Sequence, residues 1–529
     1  MFWGDAIVQK VADRFQDKIA KKEALIVRDE KTPSGRVHVG SMRGVVIHGV
    51  AREMLEAKGI AARYLYELND FDPMDGLPVY LDQEVFLPHM GKPLNQVPSP
   101  DGKAKNYAEY FSEEFISVIR AAGFEPEFYR SSELYLSGRY NEVIRIALEQ
   151  AGKIREIYRR VSGAIKPDDW LPLQVVCEQC GKIGTTKTTS FDGEFVEYIC
   201  ERAMVTWAEG CGNQGRLSPF DGRAKLPWKV EWAAKFKVIG VHIEGCGKDH
   251  STRGGSRQIA DAIAREVFGY EPPIDIPYEF FLVGGKKMSS SKGAGSSSRE
   301  VAAMLPPQLF RFLMAAKDPK RVIDFVPDGD TLPLLYDQYD SFAERYFSGI
   351  KDDFSLAFEL SHGKREQDLL KPRFLPRFSL VAFLVQMPHM VYLKEIEQLK
   401  GGALSLDDKR EAEERAQYAK LWLEQYAPEN YRYTLQEKNV PEAALRLYPD
   451  QKSALKLLLT YIESNPTLDG QGVHSELHSI KEKTGIDPKA FFSAIYLSFL
   501  GKESGPKAGW FLSVLDRDFL LRRLQEVIK

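Results

Sequence analysis

The stretch TPSGRVHVGS, Thr32 to Ser41, lies between a short apolar run and a helical stretch. The run Ala24–Val27 is wholly apolar, as buried strands of parallel sheets are. Met42–Lys58 has a helical pattern, and Gly59 follows it as an end signal. The order strand, turn, helix indicates the first unit of an α/β sheet.

The turn itself has the composition of a ligand site. Pro33 and Gly35 shape it, and Gly40 lets a ligand approach the backbone. His38 can donate a hydrogen bond to a phosphate oxygen, although a tight turn with one surface histidine fits the same residues. Open α/β sheets bind ligands at such strand ends. The GxGxxG fingerprint of dinucleotide-binding enzymes is missing, so a Rossmann dehydrogenase is not expected.

The same alternation continues through the first half of the chain. Further strands are predicted at Ala62–Leu68, Phe128–Arg130, Phe236–Ile243 and Tyr278–Val283, and helices at Tyr107–Ala122, Tyr140–Val161 and Arg253–Phe268. Strands separated by helices at this spacing predict a doubly wound parallel sheet. From about Val301 onward the pattern is almost wholly helical.

The composition is that of a multidomain protein without a membrane span. A chain of 529 residues is too long to fold around a single hydrophobic core, so several domains are expected. No apolar run of about 18 residues occurs, and the N-terminus lacks the apolar core of a signal peptide, so the cytosol is expected. A net charge of −3 argues against nonspecific DNA coating but leaves room for a local basic patch.

Four of the 5 cysteines cluster in a segment that interrupts the α/β pattern, Lys166 to about Pro227. Cys177 and Cys180 have the spacing of a metal knuckle, and Cys200 and Cys211 could complete a tetrahedral site. The wider spacing of the second pair leaves open buried thiols beside a coincidental CxxC. If zinc binds, four thiolates leave no open position, so its role would be structural.

A second unusual stretch is KKMSSSKGAGSSS, residues 286–298, directly after a predicted strand. Its serines and glycines are typical of a linker. Lys287 and Lys292 are unusual in a linker and favour a mobile loop that closes on phosphates.

Taken together, the two stretches carry a resemblance. Pro33-x-Gly35 with His38-x-Gly40 resembles the HIGH motif of class I aminoacyl-tRNA synthetases, and Lys287–Gly293 resembles their KMSKS loop. Two positions differ from the general motifs: Ser41 stands where HIGH ends in histidine, and the second lysine of KMSKS is displaced to Lys292. Both differences fit the class I lysyl-tRNA synthetases, whose loop reads KMSSSKG. Further similar segments are Tyr66–Pro73, Gly247–His250, Gly254–Ser256, Leu500–Pro506 and Gly509.

The resemblance implies a doubly wound, parallel, Rossmann-like α/β catalytic domain with a Cys-rich insert, followed by an all-α anticodon-binding region of α-helix-cage type. We expect these parts in chain order: 1–165 first catalytic half, 166–227 zinc-ribbon-like connective insert, 228–300 second catalytic half with the KMSSSKG loop, 301–365 helical stem-contact domain, and 366–529 anticodon-binding domain.

The implied reaction joins L-lysine to tRNA(Lys) with ATP, through lysyl-adenylate. His38, Lys287 and Lys292 are the expected catalytic residues, the first at the α-phosphate and the lysines at the β- and γ-phosphates. The expected ATP-binding residues are Pro33, Ser34, Gly35, His38, Gly40, Ser41, Lys287, Met288, Ser289, Ser290, Ser291 and Lys292. Mg²⁺ is implied by ATP.

Lysine recognition needs an acid for the ε-ammonium group and an apolar wall for the four-carbon stem. Asp29, Glu30 and Asp70 lie near predicted strand ends and could supply the charge. The resemblance adds Thr32, Trp228, His250 and Tyr278 to the amino-acid pocket. A core tryptophan, or a Lys-Asp-His triplet that only caps a helix, would explain Trp228 and His250 equally simply.

Two alternatives remain at this point. A glutamyl-tRNA synthetase would share the fold, but its pocket needs arginines. A noncatalytic tRNA-binding paralogue would need a damaged nucleotide site. The resemblance further implies a monomer without membrane attachment.

Overall fold

The computed structural model describes residues 1–285, 296–363, 370–387 and 391–529. The chain divides into two compact units. The first consists of Met1–Phe325 with Phe342–Lys371, and the second of Val326–Ser341 with Pro372–Lys529. Among the described helices, none is long and apolar enough to cross a membrane.

A parallel sheet lies at the centre of the first unit, as predicted. Its strands are, in spatial order, β1 (Leu25–Lys31), β2 (Ala62–Leu68) and β3 (Glu127–Arg130). Beyond β1 the sheet continues through single parallel bridges, in which Ile243 lies between Val27 and Ile274. Leu25 and Val27 are fully buried, as expected for a strand inside a parallel sheet.

Helices connect and cover the strands of this unit. They are α1 (Trp3–Arg14), α2 (Gln16–Ala20), α3 (Ser41–Ala57), α4 (Gln83–Phe86), α5 (Tyr107–Ala121), α6 (Ser131–Leu136), α7 (Asn141–Glu149), α8 (Ala151–Ser162), α9 (Trp228–Ile239), α10 (Lys248–Ser251), α11 (Ser256–Glu266), α12 (Ser298–Ala303) and α13 (Pro307–Ala315). Helix α14 (Thr331–Phe347) crosses the division of the chain, and α15 (Asp353–Leu360) follows in the first unit.

The prediction of a strand at Phe236–Ile243 is wrong. Helix α9 continues to Ile239, and Gly240 ends it with φ +76°. Only Ile243 pairs with the sheet. Residues 230–236 are buried without a break, so the helix lacks the one-sided apolar pattern that separates a helix from a buried strand.

Two further predictions differ in detail. The helix expected at Tyr140–Val161 is two helices, because Gln150 leaves the helical conformation with φ −99° and ψ 18°. The apolar spacing continues across the break and therefore does not reveal it. The region after Val301 also contains a strand, β10 (Ile323–Phe325), which pairs in parallel with β9 (Phe281–Val283).

The segment with the clustered cysteines forms its own antiparallel structure. Its strands are β4 (Gln174–Val175), β5 (Thr186–Phe191), β6 (Val196–Cys200), β7 (Gln214–Leu217) and β8 (Ala224–Lys225). The sheet β5-β6-β7 and the pair β4-β8 are both antiparallel. Their buried side chains join those of α7, α8, α9 and α11 in one core.

The described part of the second unit is helical. Its helices after α14 are α16 (Phe378–Leu384), α17 (Tyr392–Lys400), α18 (Leu406–Gln425), α19 (Pro449–Ser464), α20 (Gly470–Thr484), α21 (Pro488–Leu500), α22 (Ala508–Ser513) and α23 (Arg517–Ile528). Within it the buried Arg415 donates to Asp340 Oδ2 at 2.8 Å and to Glu411 Oε1 at 2.7 Å. Such bonds compensate a charge that burial alone would penalise.

Candidate active site

A cavity of 380 Å³ opens at the carboxyl end of β1, where the strand continues into the turn Thr32–Ser41. Residues from the start of α9 and from 244–250 and 278–281 form its other walls. Ten of the predicted site residues line it: Asp29, Glu30, Thr32, Ser34, His38, Gly40, Ser41, Trp228, His250 and Tyr278. The fold thus gathers distant positions at the strand end where parallel sheets bind ligands.

Three predicted residues do not line it. Pro33 and Gly35 belong to the same turn but stand outside the cavity wall. Asp70 is buried at the start of α6, where its carboxylate accepts hydrogen bonds from Ser131 Oγ at 3.1 Å and from Ser132 N at 2.9 Å. Burial raises the pKa of Asp70. The carboxylate of Asp70 therefore caps the first turn of α6 and does not line the cavity.

The loop predicted to hold phosphates, with Lys287, Met288, Ser289, Ser290, Ser291 and Lys292, lies outside the described residues. The chain that follows it is fixed to the turn. Val39 N donates to Ser296 O at 3.2 Å, and His38 and Ser297 form an antiparallel bridge. Ser296 and Ser297, which follow those residues in the chain, therefore lie beside Val39 and His38.

Gly40 lies close to the histidine of the turn. A Cβ added at Gly40 would lie 2.9 Å from His38 Nδ1, closer than real Cβ contacts. The small residue therefore leaves room for the imidazole in its present position.

Asp29 brings a carboxylate oxygen to the cavity with little compensation. Its Oδ1 accepts the N–H of Glu30 at 2.8 Å. Its Oδ2 is buried and accepts no hydrogen bond from any residue in the described part of the chain. His48 Nδ1 lies 3.5 Å from Oδ2. A buried acceptor of this kind costs free energy unless a donor binds it.

The histidine below Asp29 is held in one tautomer. His48 Nε2 accepts the backbone N–H of Gly245 at 2.7 Å, so Nδ1 carries the proton and faces Gly44 O at 2.7 Å. Gly44 also admits the cavity side chains. A Cβ there would lie 2.8 Å from Asp29 Oδ2 and 2.9 Å from the hydroxyl of Tyr278.

Glu30, in contrast, is already paired. The fully buried Arg28 donates to Glu30 Oε2 and to Glu67 Oε2 at 2.6 Å each. The fully buried Lys235 lies 2.7 Å from Glu30 Oε2 and 2.8 Å from Glu67 Oε1. Burial alone would raise the pKa of Glu30, but Lys235 and Arg28 outweigh it and hold that pKa far below its usual range. The charge of Glu30 is therefore balanced within the protein.

Glu244, which also lines the cavity, is engaged in the same way. It accepts from Arg28 Nη1 at 2.7 Å and from Trp232 Nε1 at 2.6 Å. Among Asp29, Glu30 and Glu244, three of the lining acids, Asp29 alone presents a buried oxygen to which no described residue donates a hydrogen bond.

Aromatic rings form an apolar wall of the cavity. Trp228 stacks on Trp232 with ring centres 5.9 Å apart and planes at 13°. His250 meets Trp228 edge-on, with ring centres at 5.1 Å and planes at 68°. Trp228 is 39% exposed, so its free face is accessible. This wall suits a hydrocarbon chain.

Several residues of this site were not predicted from the sequence. Trp232 and Glu244 line the cavity, and Lys235 supports it from below. Trp232 and Lys235 lie on α9, which was predicted in part as a strand. Had α9 been recognised as a helix, the spacing of four residues from Trp228 would have placed Trp232 on the same face.

The four clustered cysteines meet in the insert. Their sulfur atoms, from Cys177, Cys180, Cys200 and Cys211, all lie within 4.8 Å of one another. Two of the sulfur pairs, Cys177–Cys211 and Cys180–Cys200, are at 3.6 and 3.7 Å. A tetrahedral zinc ion with Zn–S bonds of about 2.3 Å requires sulfurs about 3.8 Å apart. The donor set therefore fits a metal ion.

Groups around the sulfurs support such a site. Thr185 Oγ1 and the N–H of Cys211 each lie 3.3 Å from Cys200 Sγ. Asn213 Nδ2 lies 4.0 Å from Cys177 Sγ. Hydrogen bonds of this kind orient and stabilise thiolate ligands. Cys246 lies apart from the cluster, in the wall of the 380 Å³ cavity, with Ser251 Oγ at 2.9 Å.

Comparison with known proteins identifies matching families for both parts of the chain. The sequence model of the family described as "tRNA synthetases class I (K)" matches residues 1–365. The family "Anticodon binding domain" matches residues 413–528.

Individual relatives match over the full length. The lysine--tRNA ligase of Methanosarcina barkeri (strain Fusaro / DSM 804) is 34% identical, covering 99% of this chain and 97% of the relative. The lysine--tRNA ligase of Thermoplasma volcanium is 32% identical, covering 100% of this chain and 99% of the relative. A solved glutamate tRNA ligase from Elizabethkingia meningosepticum has a TM-score of 0.41 and 13% identity, over 96% of this chain and 99% of that one.

Proposed function

Because this chain belongs to the class I lysyl-tRNA synthetase family, we propose that the cavity at the end of β1 binds L-lysine beside ATP and that Asp29 receives the ε-ammonium group. We call it the lysine–ATP cavity from here on. The activity is that of a lysine–tRNA ligase, which activates lysine with ATP and transfers it to the terminal ribose of tRNA.

One observation carries the assignment of Asp29. Asp29 Oδ2 is buried at the cavity and lacks a hydrogen-bond donor among the described residues, whereas Glu30 is already held by Arg28 and Lys235. An ammonium group placed at Oδ2 would satisfy the orphaned acceptor and gain a charge-assisted hydrogen bond. The wall of Trp228 and Trp232 would cover the four-carbon stem.

The turn would hold ATP through Ser34, His38, Gly40 and Ser41, which share the cavity with Asp29. In the first step the lysine carboxylate attacks the α-phosphorus, the bond to the β-phosphate breaks, and pyrophosphate leaves. His38 would donate to the α-phosphate as charge develops, and Lys287 and Lys292 would hold the leaving pyrophosphate. Mg²⁺ would accompany the phosphates.

In the second step a hydroxyl of the terminal ribose attacks the carbonyl carbon of the adenylate, and AMP leaves. The match of residues 413–528 to anticodon-binding domains supports recognition of the anticodon by the second unit. The five-part domain division, a cytoplasmic location and a monomeric state stay predictions, the last open to light scattering.

Zinc is the proposed metal of the Cys cluster. The sulfur separations of 3.6 and 3.7 Å support it, since they suit tetrahedral zinc. The chemistry it supplies is structural: it would cross-link the end of β6 with the loops that precede β5 and β7.

The alternatives are less consistent with the cavity. The γ-carboxylate of glutamate would face the uncompensated charge of Asp29, and none of the described residues that line the cavity is an arginine. A noncatalytic tRNA-binding protein would have no need of His38 and Gly40 at a nucleotide cavity.

ATP–pyrophosphate exchange with each of the twenty amino acids, with and without tRNA, tests the proposal. We expect exchange with lysine, reduced in Asp29→Asn by a large rise in the KM for lysine with the KM for ATP little changed. An equal loss for both substrates would argue against Asp29 as the ammonium ligand. Exchange with glutamate and not with lysine would indicate a glutamyl-tRNA synthetase.

A further inference from the structure

A second cavity, of 240 Å³, lies beside the lysine–ATP cavity in the first unit. Its wall includes Tyr158, Lys166, Trp170, Gln174, Met204 and Trp228. We call it the Trp170 cavity. Trp228 belongs to the walls of both cavities, so a ligand in one lies next to a ligand in the other.

The Trp170 cavity has aromatic faces with a cation between them. Lys166 Nζ lies 5.1 Å from the ring centre of Tyr158 and 5.0 Å from that of Trp170. Lys229 Nζ lies 5.8 Å from the same tyrosine ring. In the described part of the chain, neither lysine is in ion-pair contact with a carboxylate. Burial and Lys229 together lower the pKa of Lys166. Such a pair of uncompensated cations favours an anionic ligand.

The wall of the Trp170 cavity also contains the polar side chain of Gln174, which can form hydrogen bonds with a ligand. Gln174 is half-buried, and no hydrogen bond of its side-chain amide occurs within the described residues. The hydroxyls of Thr186 and Thr188 instead bind the backbone at Val175 and Leu173. An amide offers both donors and acceptors and can therefore read the edge of a nucleobase.

The size of the cavity limits the ligand. At 240 Å³ it falls below the range of about 300–1,000 Å³ that holds drug-sized molecules, so a single ring system fits better than a whole nucleotide triphosphate. Stacking of splayed bases on aromatic rings, with lysines near the phosphates, is how proteins hold single-stranded RNA.

We infer that the Trp170 cavity takes a base of the single-stranded 3′ end of tRNA while that end reaches the lysine–ATP cavity. This rests on the proposed function, because the terminal ribose must meet the lysyl-adenylate. The base would stack on Trp170, Lys166 would face the adjoining phosphate, and Gln174 would contact the base edge.

The test compares Trp170→Leu and Lys166→Met with the wild type. Lys10→Met, at an exposed position on α1, is the matched control. We expect the KM for tRNA in lysylation to rise about tenfold in each cavity variant, as loss of one stacking or phosphate contact implies. The KM values for lysine and ATP should stay at the wild-type level, and Lys10→Met should behave as the wild type.

A direct probe uses an RNA minihelix with 2-aminopurine at the 3′-terminal position, and a second with pyrrolocytidine at the penultimate position. Binding to the wild type should quench one of the two probes, and Trp170→Leu should abolish that quenching. Should Trp170→Leu fail to fold, Lys166→Met decides through the KM for tRNA.

The proposed function and the Trp170 cavity can be disproved separately. A wild-type protein that does not lysylate tRNA would overturn the proposed function. A protein that lysylates tRNA, with KM and quenching unchanged in both variants, would overturn the Trp170 cavity alone.

Discussion

The backbone N–H of Ser298 donates to the carbonyl oxygen of Val37 at 2.8 Å. Ser298 Oγ donates to the same oxygen at 3.0 Å. Two bonds to one acceptor join the chain after the serine-rich loop to the residue before His38. The capping box formed by Ser297 and Glu300 starts α12 at the same place. The chain from Ser296 into α12 is therefore anchored to the turn that contains His38.

We predict that Gly40→Ala lowers the kcat of lysine activation. Its Cβ would lie 2.9 Å from His38 Nδ1 and would displace the imidazole. Loss of one donor to a developing charge costs about 100- to 1000-fold, and His38→Ala should reach that range, with Gly40→Ala showing a smaller loss. Single-turnover rates with saturating lysine and ATP would measure this. A normal rate in both variants would remove His38 from the chemistry.

Gly44→Ala should weaken lysine binding without a comparable effect on ATP. Its Cβ would meet Asp29 Oδ2 at 2.8 Å and the hydroxyl of Tyr278 at 2.9 Å, and both side chains would have to move. Gly152→Ala in α8 is the matched control, since its Cβ would meet only Arg155, at 3.8 Å. Alanine in a helix should leave that variant as stable as the wild type or more so. Equal KM values for lysine in the two variants would contradict the role of the Asp29 region.

Lys235→Met is expected to destabilise the first unit severely. Lys235 is fully buried among Glu30, Glu67 and Glu231, and its removal would leave buried carboxylates without their cation. Breaking one partner of a buried pair costs about 3–5 kcal/mol. Urea unfolding monitored by tryptophan fluorescence would report it.

The neighbouring Lys237→Met is the control for that change. Lys237 lies on the same helix but is one-third exposed, with Glu142 at 3.3 Å. Exposed pairs contribute about 0–1 kcal/mol, so its free energy of unfolding should stay near the wild-type value. A loss of unfolding free energy in Lys235→Met no larger than that in Lys237→Met would contradict a stabilising role for the buried network.

His242 predicts a pH dependence of stability. Its Nδ1 accepts the N–H of Ile26 at 3.0 Å, which requires the neutral ring. Burial, with Lys18 and Arg14, lowers the pKa of His242 to about 4. The unfolded chain therefore binds a proton that the folded chain excludes, and stability present above pH ~6.5 is lost as the pH falls toward 4.

The melting temperature should therefore fall more steeply between pH 6.5 and 4 in the wild type than in His242→Gln. Glutamine keeps an acceptor for Ile26 but does not titrate. At pH 8 the two proteins should melt at similar temperatures, which serves as the internal control. Parallel pH profiles would show that His242 does not supply the effect.

Metal analysis tests the Cys cluster. Purified protein should contain one zinc per chain, and Cys180→Ser should lower that occupancy well below one. Cys246→Ser is the control, because Cys246 lies in the lysine–ATP cavity wall and outside the cluster. Chelator treatment should reduce the melting temperature of the wild type more than that of Cys180→Ser. Metal-free protein with four titratable thiols would contradict the zinc proposal.

Local patterns were sufficient for much of this fold. The apolar run at Leu25–Val27, followed by Pro33 and Gly35, placed β1 and its turn correctly, because a buried parallel strand has few alternatives. The cysteine spacing pointed to a shared site that the folded chain assembles, although only the fold could bring Cys211 to Cys177.

The roles of residues that depend on contacts between distant parts of the chain could not be predicted from the sequence. Asp29 and Glu30 are adjacent acids that the sequence does not distinguish, yet the fold shows that Arg28 and Lys235 neutralise Glu30. Asp70 looked like a ligand at a strand end, but its hydrogen bonds to Ser131 and Ser132 depend on where α6 begins. Sequence alone does not carry that information.

The shared tryptophan has a thermodynamic consequence. Trp228 belongs to the walls of both cavities. A ligand in one cavity that immobilises the indole therefore changes the entropic cost of binding a ligand in the other cavity. By linkage, whatever factor lysine applies to the affinity for the RNA end, the RNA end applies to the affinity for lysine. Amino acid and tRNA would then each report the presence of the other through one side chain.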